Sequence, residues 1–340
     1  MQDLRQLSYN EIKKICENLD DKQFRTKQIY VWVSKGINSF HDMTDIPIDL
    51  REKLSKIAFI DNVKICSILK SKDKTIKFLN RFSDQNVVES VFMGYKYGNS
   101  ICISTQVGCK MKCTFCASAV GGFIRNLTAG EMMGQIFEAQ NTTGKRISNI
   151  VLMGGGEPLD NFDEVLKFIH LVNEKYGLNI SQRNITLSTC GLIPEIYKLA
   201  DRKLKITLAV SLHNPFQVER EMIIPVAKMY PIEKLVDAAF YYFKKTGRRV
   251  TFEYALIRGL NDSQRHAEKL GKLVKEKLAH INLIPLNAVK ENNYFPSNRN
   301  KIKIFKHILT DIYHINTTIR RELGADINAA CGQLRNQYLK

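Results

Sequence analysis

Residues 109–116 read Cys-Lys-Met-Lys-Cys-Thr-Phe-Cys and place Cys109, Cys113 and Cys116 at a C-x₃-C-x₂-C spacing. Three thiolates this close together on one loop can bind three irons of a [4Fe–4S] cluster, which normally takes four cysteine ligands. No further cysteine follows at a matching spacing, so the fourth iron would stay open to a ligand from outside the protein. The spacing therefore predicts one cluster per chain, held by these three thiols.

Zinc is the alternative occupant of such a loop, because it also binds thiolates. A zinc site needs a fourth Cys or His nearby, and no histidine lies between His41 and His170. The spacing favours the cluster, and the zinc site stays open as the alternative.

The cysteine loop follows a β-branched run, and from there the chain alternates between such runs and helical stretches. The strand-like runs are 100–105, 147–153, 184–188, 205–212, 249–256 and 280–286. The helical stretches are 128–141, 162–175, 193–200, 232–245 and 263–277, with a last helix at 301–313. This alternation is typical of parallel βα units. Six units are too few for an eight-fold barrel, so we predict an α/β fold, an open, partial (β/α)6 TIM-like barrel with ligands at the carboxyl ends of its strands.

The part of the chain before the barrel has a different pattern. A capping box of Ser8 and Glu11 begins the first of three predicted helices. Two strand-like runs follow, 74–82 and 87–93, joined by a polar turn. We therefore predict a helical accessory domain at 1–60, a β-extension at 61–98, the core at 99–320 and a C-terminal segment at 321–340.

Composition limits the class of protein and its partners. No apolar run approaches the roughly 18 residues of a membrane helix, and the N-terminus lacks a signal-peptide pattern. We expect a cytoplasmic protein with reduced thiols and no membrane partner.

The net charge indicates the class of partner. The chain has 51 Lys and Arg against 34 Asp and Glu, a net charge of +17, which suggests RNA or DNA as partner. A generically basic surface is the alternative. The candidates for phosphate contact are Lys244, Lys245, Arg248, Arg249, Arg320 and Arg321.

A glycine-rich turn, Gly154-Gly155-Gly156-Glu157, follows the second barrel strand. Glycines let a ligand approach the backbone, and the Glu157 carboxylate can accept a hydrogen bond from an ammonium group. Later strand ends carry further candidates: Ser188, Ser211, Leu212, His213 and Asn287. Each of these alone is explained equally well as a cap or turn residue.

The cysteine triad after the first barrel strand, followed one unit later by the glycine-rich turn, resembles the radical S-adenosylmethionine (SAM) enzymes. The resemblance implies that SAM binds the open iron and that the reduced cluster cleaves it to methionine and a deoxyadenosyl radical. It further implies an electron donor such as flavodoxin or ferredoxin. It assigns SAM contacts to Gly156, Glu157, Ser188, Ser211, Leu212, His213 and Asn287.

Two further thiols narrow the resemblance to the RlmN/Cfr family of RNA methyltransferases. Cys102 lies seven residues before the cluster loop, and Cys331 lies in Ala-Ala-Cys-Gly-Gln-Leu near the C-terminus. The resemblance covers nearly the whole chain. Pro158 and Val107 favour the branch that methylates C2 of adenosine over the branch that methylates C8.

The resemblance implies a role for each of three residues. Cys331 carries the methyl group as an S-methylcysteine intermediate, and a second SAM per turnover supplies the radical. Glu89 accepts the C2 proton, and Cys102 resolves the protein–RNA adduct through a transient disulfide with Cys331. The implied substrates are an adenosine in the peptidyl-transferase region of 23S rRNA and an anticodon-loop adenosine of tRNA. We expect a monomer.

Three other functions remain as alternatives. A Cfr-like enzyme would methylate C8 of the rRNA adenosine. A radical SAM activase would not need the basic surplus or the two additional thiols. A non-enzymatic iron–sulfur or zinc RNA-binding protein would leave Glu157 and its glycine-rich turn without a role.

Overall fold

A ten-stranded sheet forms the centre of the computed structural model, which describes residues 1–19, 21–275, 279–287, 289 and 292–334. The strands are β1 (Gln2–Asp3), β2 (Ala58–Phe59), β3 (Lys64–Lys70), β4 (Ile76–Arg81), β5 (Val87–Tyr95), β6 (Gly98–Cys102), β7 (Gln106–Gly108), β8 (Phe123–Asn126), β9 (Asn149–Leu152), β10 (Ile185–Thr189), β11 (Thr207–Ser211), β12 (Val250–Leu256), β13 (Ala279–Pro285) and β14 (Asn316–Ile319). The helices are α1 (Tyr9–Asn18), α2 (Phe24–Ser34), α3 (Ile48–Ile57), α4 (Ala129–Thr143), α5 (Phe162–Asn173), α6 (Ile193–Asp201), α7 (Gln217–Ile223), α8 (Ile232–Thr246), α9 (Gln264–Val274) and α10 (Arg299–His307).

The sheet has the order β14-β13-β12-β11-β10-β9-β6-β5-β4-β3. Its pairs are parallel from β6 through β9 to β14, and antiparallel from β6 back to β3. Within the described ranges the two edge strands do not pair with each other. The predicted open α/β barrel with a β-extension is confirmed.

Two strands of this sheet were missing from the sequence-based prediction. β14 adds a seventh parallel strand to the six predicted, and β3 adds a third strand to the two predicted for the antiparallel extension. Both lie at the edges of the sheet, and most of their residues are exposed or half-buried. β14 is short and mostly polar, and β3 is interrupted by Ser67 and flanked by Lys64 and Lys70, so neither has the long apolar run by which buried strands are recognised.

The first 60 residues contain a small hydrophobic core of their own. Its members include Leu4, Ile12 and Leu54, all fully buried. The predicted capping box is present, because the Ser8 side chain accepts from the Glu11 backbone and the Glu11 side chain accepts from the Ser8 backbone. The predicted division of the chain after residues 60, 98 and 320 stays a prediction.

Close backbone contact joins this helical unit to the barrel at α4. Gly36 lies so near Phe137 that a Cβ atom added there would stand 2.5 Å from the phenylalanine Cβ. Arg5 donates to the Ile37 carbonyl at 3.0 Å and lies over the Phe137 ring. These contacts fix the accessory helices against the outside of the barrel.

Helix ends differ from the predictions by a few residues. The stretch predicted to be helical at 263–277 is α9, which ends at Val274, and residues 276–278 lie outside the described part. The predicted last helix is α10 followed by a π-helical turn, Ile308–Ile312.

No helix in the described ranges is both long enough and apolar enough to cross a membrane.

Candidate functional site

The cysteine loop is fixed at its base by a close backbone contact between β7 and β8. Gly108 has φ +77°, and a Cβ there would lie 1.8 Å from the Gly122 carbonyl oxygen. The Cys109 N–H donates to that same oxygen at 3.0 Å. This position therefore requires glycine, and the loop that follows projects over the carboxyl ends of the barrel strands.

All three loop cysteines line one cavity of about 1000 Å³ that is open to solvent. We call it the larger cavity, to distinguish it from a smaller neighbouring cavity described below. The predicted residues that line it are Cys109, Cys113, Cys116, Gly156, Glu157, Ser188, Ser211, His213, Asn287 and Cys331. The parallel strands thus bring side chains from distant parts of the chain together, as expected from the sequence. In the described residues, no group of three or more Cys, His, Asp or Glu side chains is arranged to hold a single metal ion.

Leu212 is the exception among the predicted SAM contacts. It does not line the larger cavity, and its side chain is fully buried in the hydrophobic core. β11 ends at Ser211, and His213 in the following turn has a positive φ of +55°; Ser211 and His213 face the cavity, whereas Leu212 between them points into the core.

The Glu157 carboxylate is held rigidly at the cavity wall. Its two oxygens accept from the Leu159 N–H at 3.0 Å and the Cys190 N–H at 2.8 Å. Burial raises the pKa of Glu157, although the two backbone hydrogen bonds act in the opposite direction. A bound ammonium group would favour its ionised form.

His213 and Asn287 complete the polar part of the cavity. His213 accepts from the Ala255 N–H at Nδ1, and burial lowers its pKa to about 3, so the ring is neutral. Asn287 donates from Nδ2 to the Cys331 carbonyl at 3.0 Å, while its buried Oδ1 has no partner among the described residues. An unpaired buried acceptor, a fixed carboxylate and three thiols fit a [4Fe–4S] cluster together with SAM, whose amino group is a donor.

Cys102 lies in a second, smaller cavity, whose wall includes Cys331, Asn287 and Arg320. Those three residues also line the larger cavity, so Cys331 stands where the two cavities meet. Burial raises the pKa of Cys102 to about 12, and it is a neutral thiol at pH 7. The eight cysteines, all among the described residues, are free of disulfides.

Glu89 lies outside both cavities. It is 3% exposed and borders a third cavity with Ser118 and Leu334. Its Oε1 accepts from Lys77 Nζ at 2.9 Å, and the same ammonium donates to the Asn328 carbonyl at 3.1 Å. The structure therefore places Glu89 beside the segment that carries Cys331.

Several residues of the site were missed by sequence reasoning. Arg220 is buried and donates to the carbonyls of Leu212, Cys190 and Ser211, which ties the ends of β10 and β11 together. Cys190 lines the larger cavity far along the chain from the cysteine loop. Their sequence neighbourhoods show no motif, and Arg220 lies in a helix rich in charged residues, where an arginine is expected to be solvated.

The basic candidates divide into two groups. Arg248 and Arg249 immediately precede β12, so they lie at the amino end of a strand whose carboxyl end faces the larger cavity. Lys244 and Lys245 lie in the last turn of α8, which leads into the same strand end. Arg320 and Arg321 line the smaller cavity. The structure thus brings only the last pair to the candidate site.

Known proteins resemble this chain over its whole length. Residues 103–270 match the radical SAM superfamily, and residues 2–60 match the ribosomal RNA large subunit methyltransferase N-terminal domain. A probable dual-specificity RNA methyltransferase RlmN of Clostridium tetani is 51% identical over 100% of this chain and 97% of its own length. One from Alkaliphilus oremlandii is 51% identical over 99% and 98%. The crystal structure of a radical SAM methyltransferase from Sphaerobacter thermophilus has a TM-score of 0.94 and 37% identity, covering 99% of this chain and 100% of that one.

Proposed function

The chain belongs to the RlmN family of dual-specificity RNA methyltransferases in the radical SAM superfamily, and on this premise we propose that it methylates C2 of adenosine through S-methylcysteine. The substrates we assign are 23S rRNA and tRNA. The position of Cys331 is the observation that carries the proposal. Its thiol lies between the cavity of the three loop cysteines and the cavity of Cys102.

We assign the cluster to Cys109, Cys113 and Cys116, and SAM to the cavity residues Gly156, Glu157, Ser188, Ser211, His213 and Asn287. When bound, the cluster and SAM supply the radical that removes hydrogen from an unactivated methyl group. Glu157 orients the ammonium of SAM, because both of its oxygens are already fixed by backbone donors. The buried Asn287 Oδ1 gains a donor on binding.

Cys331 is the nucleophile in the first half of the reaction. As a thiolate it takes the methyl group of one SAM by displacement, because sulfur is a good nucleophile and C2 of adenine is not. The Arg320 guanidinium lies where the two cavities meet, and its pKa is raised chiefly by the neighbouring Cys331. After loss of a hydrogen atom, the carbon on Cys331 would bond to C2, and the unpaired electron of the adduct would pass to the cluster.

The second half of the reaction releases the RNA. Glu89 accepts the C2 proton, and the Cys102 sulfur then attacks the Cys331 sulfur. The bond between the Cys331 sulfur and the carbon breaks as the disulfide forms, and the released carbon takes up a proton to become the methyl group of the base. Cys102 must lose its proton before it attacks, since burial raises its pKa to about 12. Cellular thiols reduce the disulfide before the next turnover.

The two-thiol mechanism is tested by replacing each thiol separately. In anaerobically reconstituted protein, Cys102→Ala removes the resolving sulfur but none of the three loop cysteines, so it should cleave SAM and accumulate a covalent protein–RNA adduct. Cys331→Ala should give no adduct, because no methyl carrier remains. The measurement is a denaturing gel with labelled RNA, followed by nuclease digestion of the shifted band.

Cys66→Ala is the matched control, because this thiol is exposed on β3 and lies outside the cavities. It should turn over like the unchanged protein. Normal turnover by Cys102→Ala, or methylated adenosine from Cys331→Ala, would show that the mechanism is wrong for this chain.

A further inference from the structure

Two tyrosines at the tip of the hairpin between β5 and β6 form a stacked pair beside the smaller cavity. The Tyr95 and Tyr97 rings lie 4.9 Å apart and 9° from parallel. Tyr97 is 76% exposed, whereas Tyr95 is half-buried. Tyr95 pairs with Gly98 in the sheet, so the hairpin turn is tight and holds Tyr97 at its outer end. One face of an aromatic ring is thereby presented to solvent.

The inner end of this stack belongs to the candidate site. Alternate residues of a strand face the same side, and Val91, Met93 and Tyr95 form such a row along β5. Val91 and Met93 share a buried cluster with Cys102, and Tyr95 packs against it. Tyr95 also lines the smaller cavity together with Cys102 and Cys331. The stack therefore runs from the wall of that cavity out to the surface.

The distance from the thiols suits a nucleotide that flanks the target base. Cys102 pairs with Val91 and Gly98 pairs with Tyr95. Four strand residues span about 13 Å at roughly 3.3 Å per residue. A strand of RNA with its adenine at Cys331 would cross that length within a few nucleotides.

The positive charge around the stacked tyrosines is complementary to the phosphates of a nucleic acid. Lys96, between the two tyrosines, is exposed, and Arg320 and Arg321 line the smaller cavity, where Glu322 is the acidic neighbour. Cationic side chains next to exposed aromatic rings are how proteins bind single-stranded nucleic acid, because every base has a π-face that can stack. Two rings alone form only a small apolar area, which favours a nucleic acid over a protein as the partner.

We propose that Tyr97, supported by Tyr95, stacks on an unpaired RNA base a few nucleotides from the adenosine that is methylated. This inference rests on the proposed function and adds a binding site for a flanking nucleotide of the same substrate. The site is tolerant of sequence, because stacking does not read the edge of the base.

A fluorescent base analogue tests the site directly. Short RNAs carry 2-aminopurine at each position flanking the target adenosine in turn, and the probe is quenched where it stacks. With the full reconstituted chain we expect quenching at one flanking position. Tyr97→Phe keeps the π-face and should keep the quenching. Tyr97→Ala and Tyr97→Leu should lose it and bind the RNA about 5- to 150-fold more weakly.

Tyr197→Ala is the matched control. Tyr197 is also partly exposed and also contacts a second tyrosine, Tyr241, but this pair lies on α6 and α8 outside the barrel. It should leave quenching and affinity unchanged. Because Tyr97 is exposed, its replacement should not prevent folding, and a thermal melt of each variant verifies this.

The possible failures are distinguishable. If Tyr97→Ala binds and quenches like the unchanged protein, Tyr97 only shields Tyr95 and the inference is wrong. If RNA affinity is unchanged but reduction by the electron donor slows, the surface belongs to a protein partner and the inference is again wrong. If the unchanged protein neither binds nor methylates RNA, the proposed function fails and the inference fails with it.

Discussion

At the scale of single residues, the Lys77–Glu89 pair is costly to disturb because both side chains are buried. The two side chains are 3% and 2% exposed, and the ammonium also bonds the Asn328 carbonyl in the segment that leads to Cys331. A buried ion pair contributes little net stability when complete, but removing one partner leaves an uncompensated charge in a medium that solvates it poorly. Lys77 therefore holds the proposed proton acceptor and the methyl carrier's segment together.

Replacing Lys77 by Met should lower the free energy of unfolding by about 3–5 kcal/mol, because Glu89 loses a buried cation. The double variant Lys77→Met/Glu89→Leu should recover most of that loss, since no buried charge is left. Urea unfolding of the three proteins, all with the same cluster content, measures the effect. Equal stability of Lys77→Met and the unchanged protein would show that the pair is solvated in solution.

At the scale of elements, the turn between β3 and β4 anchors the C-terminal segment. The Ser71 hydroxyl and the Lys72 N–H donate to Asp326 at 2.6 and 3.2 Å. The Gly324 N–H donates to Asp73 Oδ2 at 2.9 Å. At its other end the segment is fixed to the cysteine loop, where the Ala117 N–H donates to the Gly332 carbonyl at 2.7 Å. The β-extension thus positions Cys331 from a distance.

Replacing Asp73 by Asn should loosen this anchor and raise the exchange rate of the Gly324 amide about two- to tenfold, the effect of one lost hydrogen bond. Hydrogen–deuterium exchange measures it. Asp84→Asn is the control, because Asp84 occupies the next hairpin turn and binds Arg125 instead of the C-terminal segment. An unchanged Gly324 amide in Asp73→Asn would show that the turn does not hold the segment.

The same anchor has a defined dependence on pH. Slight burial opposes ionisation of Asp73, but hydrogen bonds from Gly324 and Thr75 outweigh it and lower the pKa to about 2. A carboxyl whose pKa is lowered on folding contributes stability above its unfolded value near 4, and that contribution is lost as the pH falls towards 2. Exchange at Gly324 should therefore be independent of pH near neutrality, after correction for intrinsic rates, and accelerate in acid.

At the scale of the whole molecule, a chain of net charge +17 carries arginines at both ends of the barrel. Arg248 and Arg249 lie at the amino ends of the strands, and seven residues of β12 separate them from the carboxyl ends. That length is about 23 Å at roughly 3.3 Å per residue. Arg321 instead lies at the mouth of the smaller cavity and is exposed.

RNA bound at the site should therefore meet Arg321 and not Arg249. Arg321→Glu should weaken binding and reduce the slope of log affinity against log salt by about one unit per lost phosphate contact. Arg249→Glu makes the same change in net charge and should leave the slope unchanged. Titrations of labelled RNA at several salt concentrations give both slopes. Equal effects of the two variants would mean that binding follows net charge and not the position of these arginines.

The sequence by itself determined the local chemistry of this protein. The spacing of Cys109, Cys113 and Cys116 defines a ligand set within one loop, and the alternation of strand and helix implies parallel strands with a common carboxyl edge. From these two patterns we expect Glu157, Ser188, Ser211 and Asn287 near the cysteines, and in the structure all four line the same cavity as the cysteines. Periodicity predicts such features because it records which face of each element is buried.

Only the tertiary structure decided which side chains meet across that framework. Lys77 is a charged residue in an amphipathic strand, and nothing near it in sequence shows that its ammonium is buried against Glu89. Arg249 and Arg321 are equivalent as charges in a sequence, yet they lie at opposite ends of the barrel. The edge strands β3 and β14 lack a long apolar run, and their hydrogen-bonded neighbours identify them. In each case the deciding contact joins residues far apart in the chain, and local pattern carries no information about such contacts.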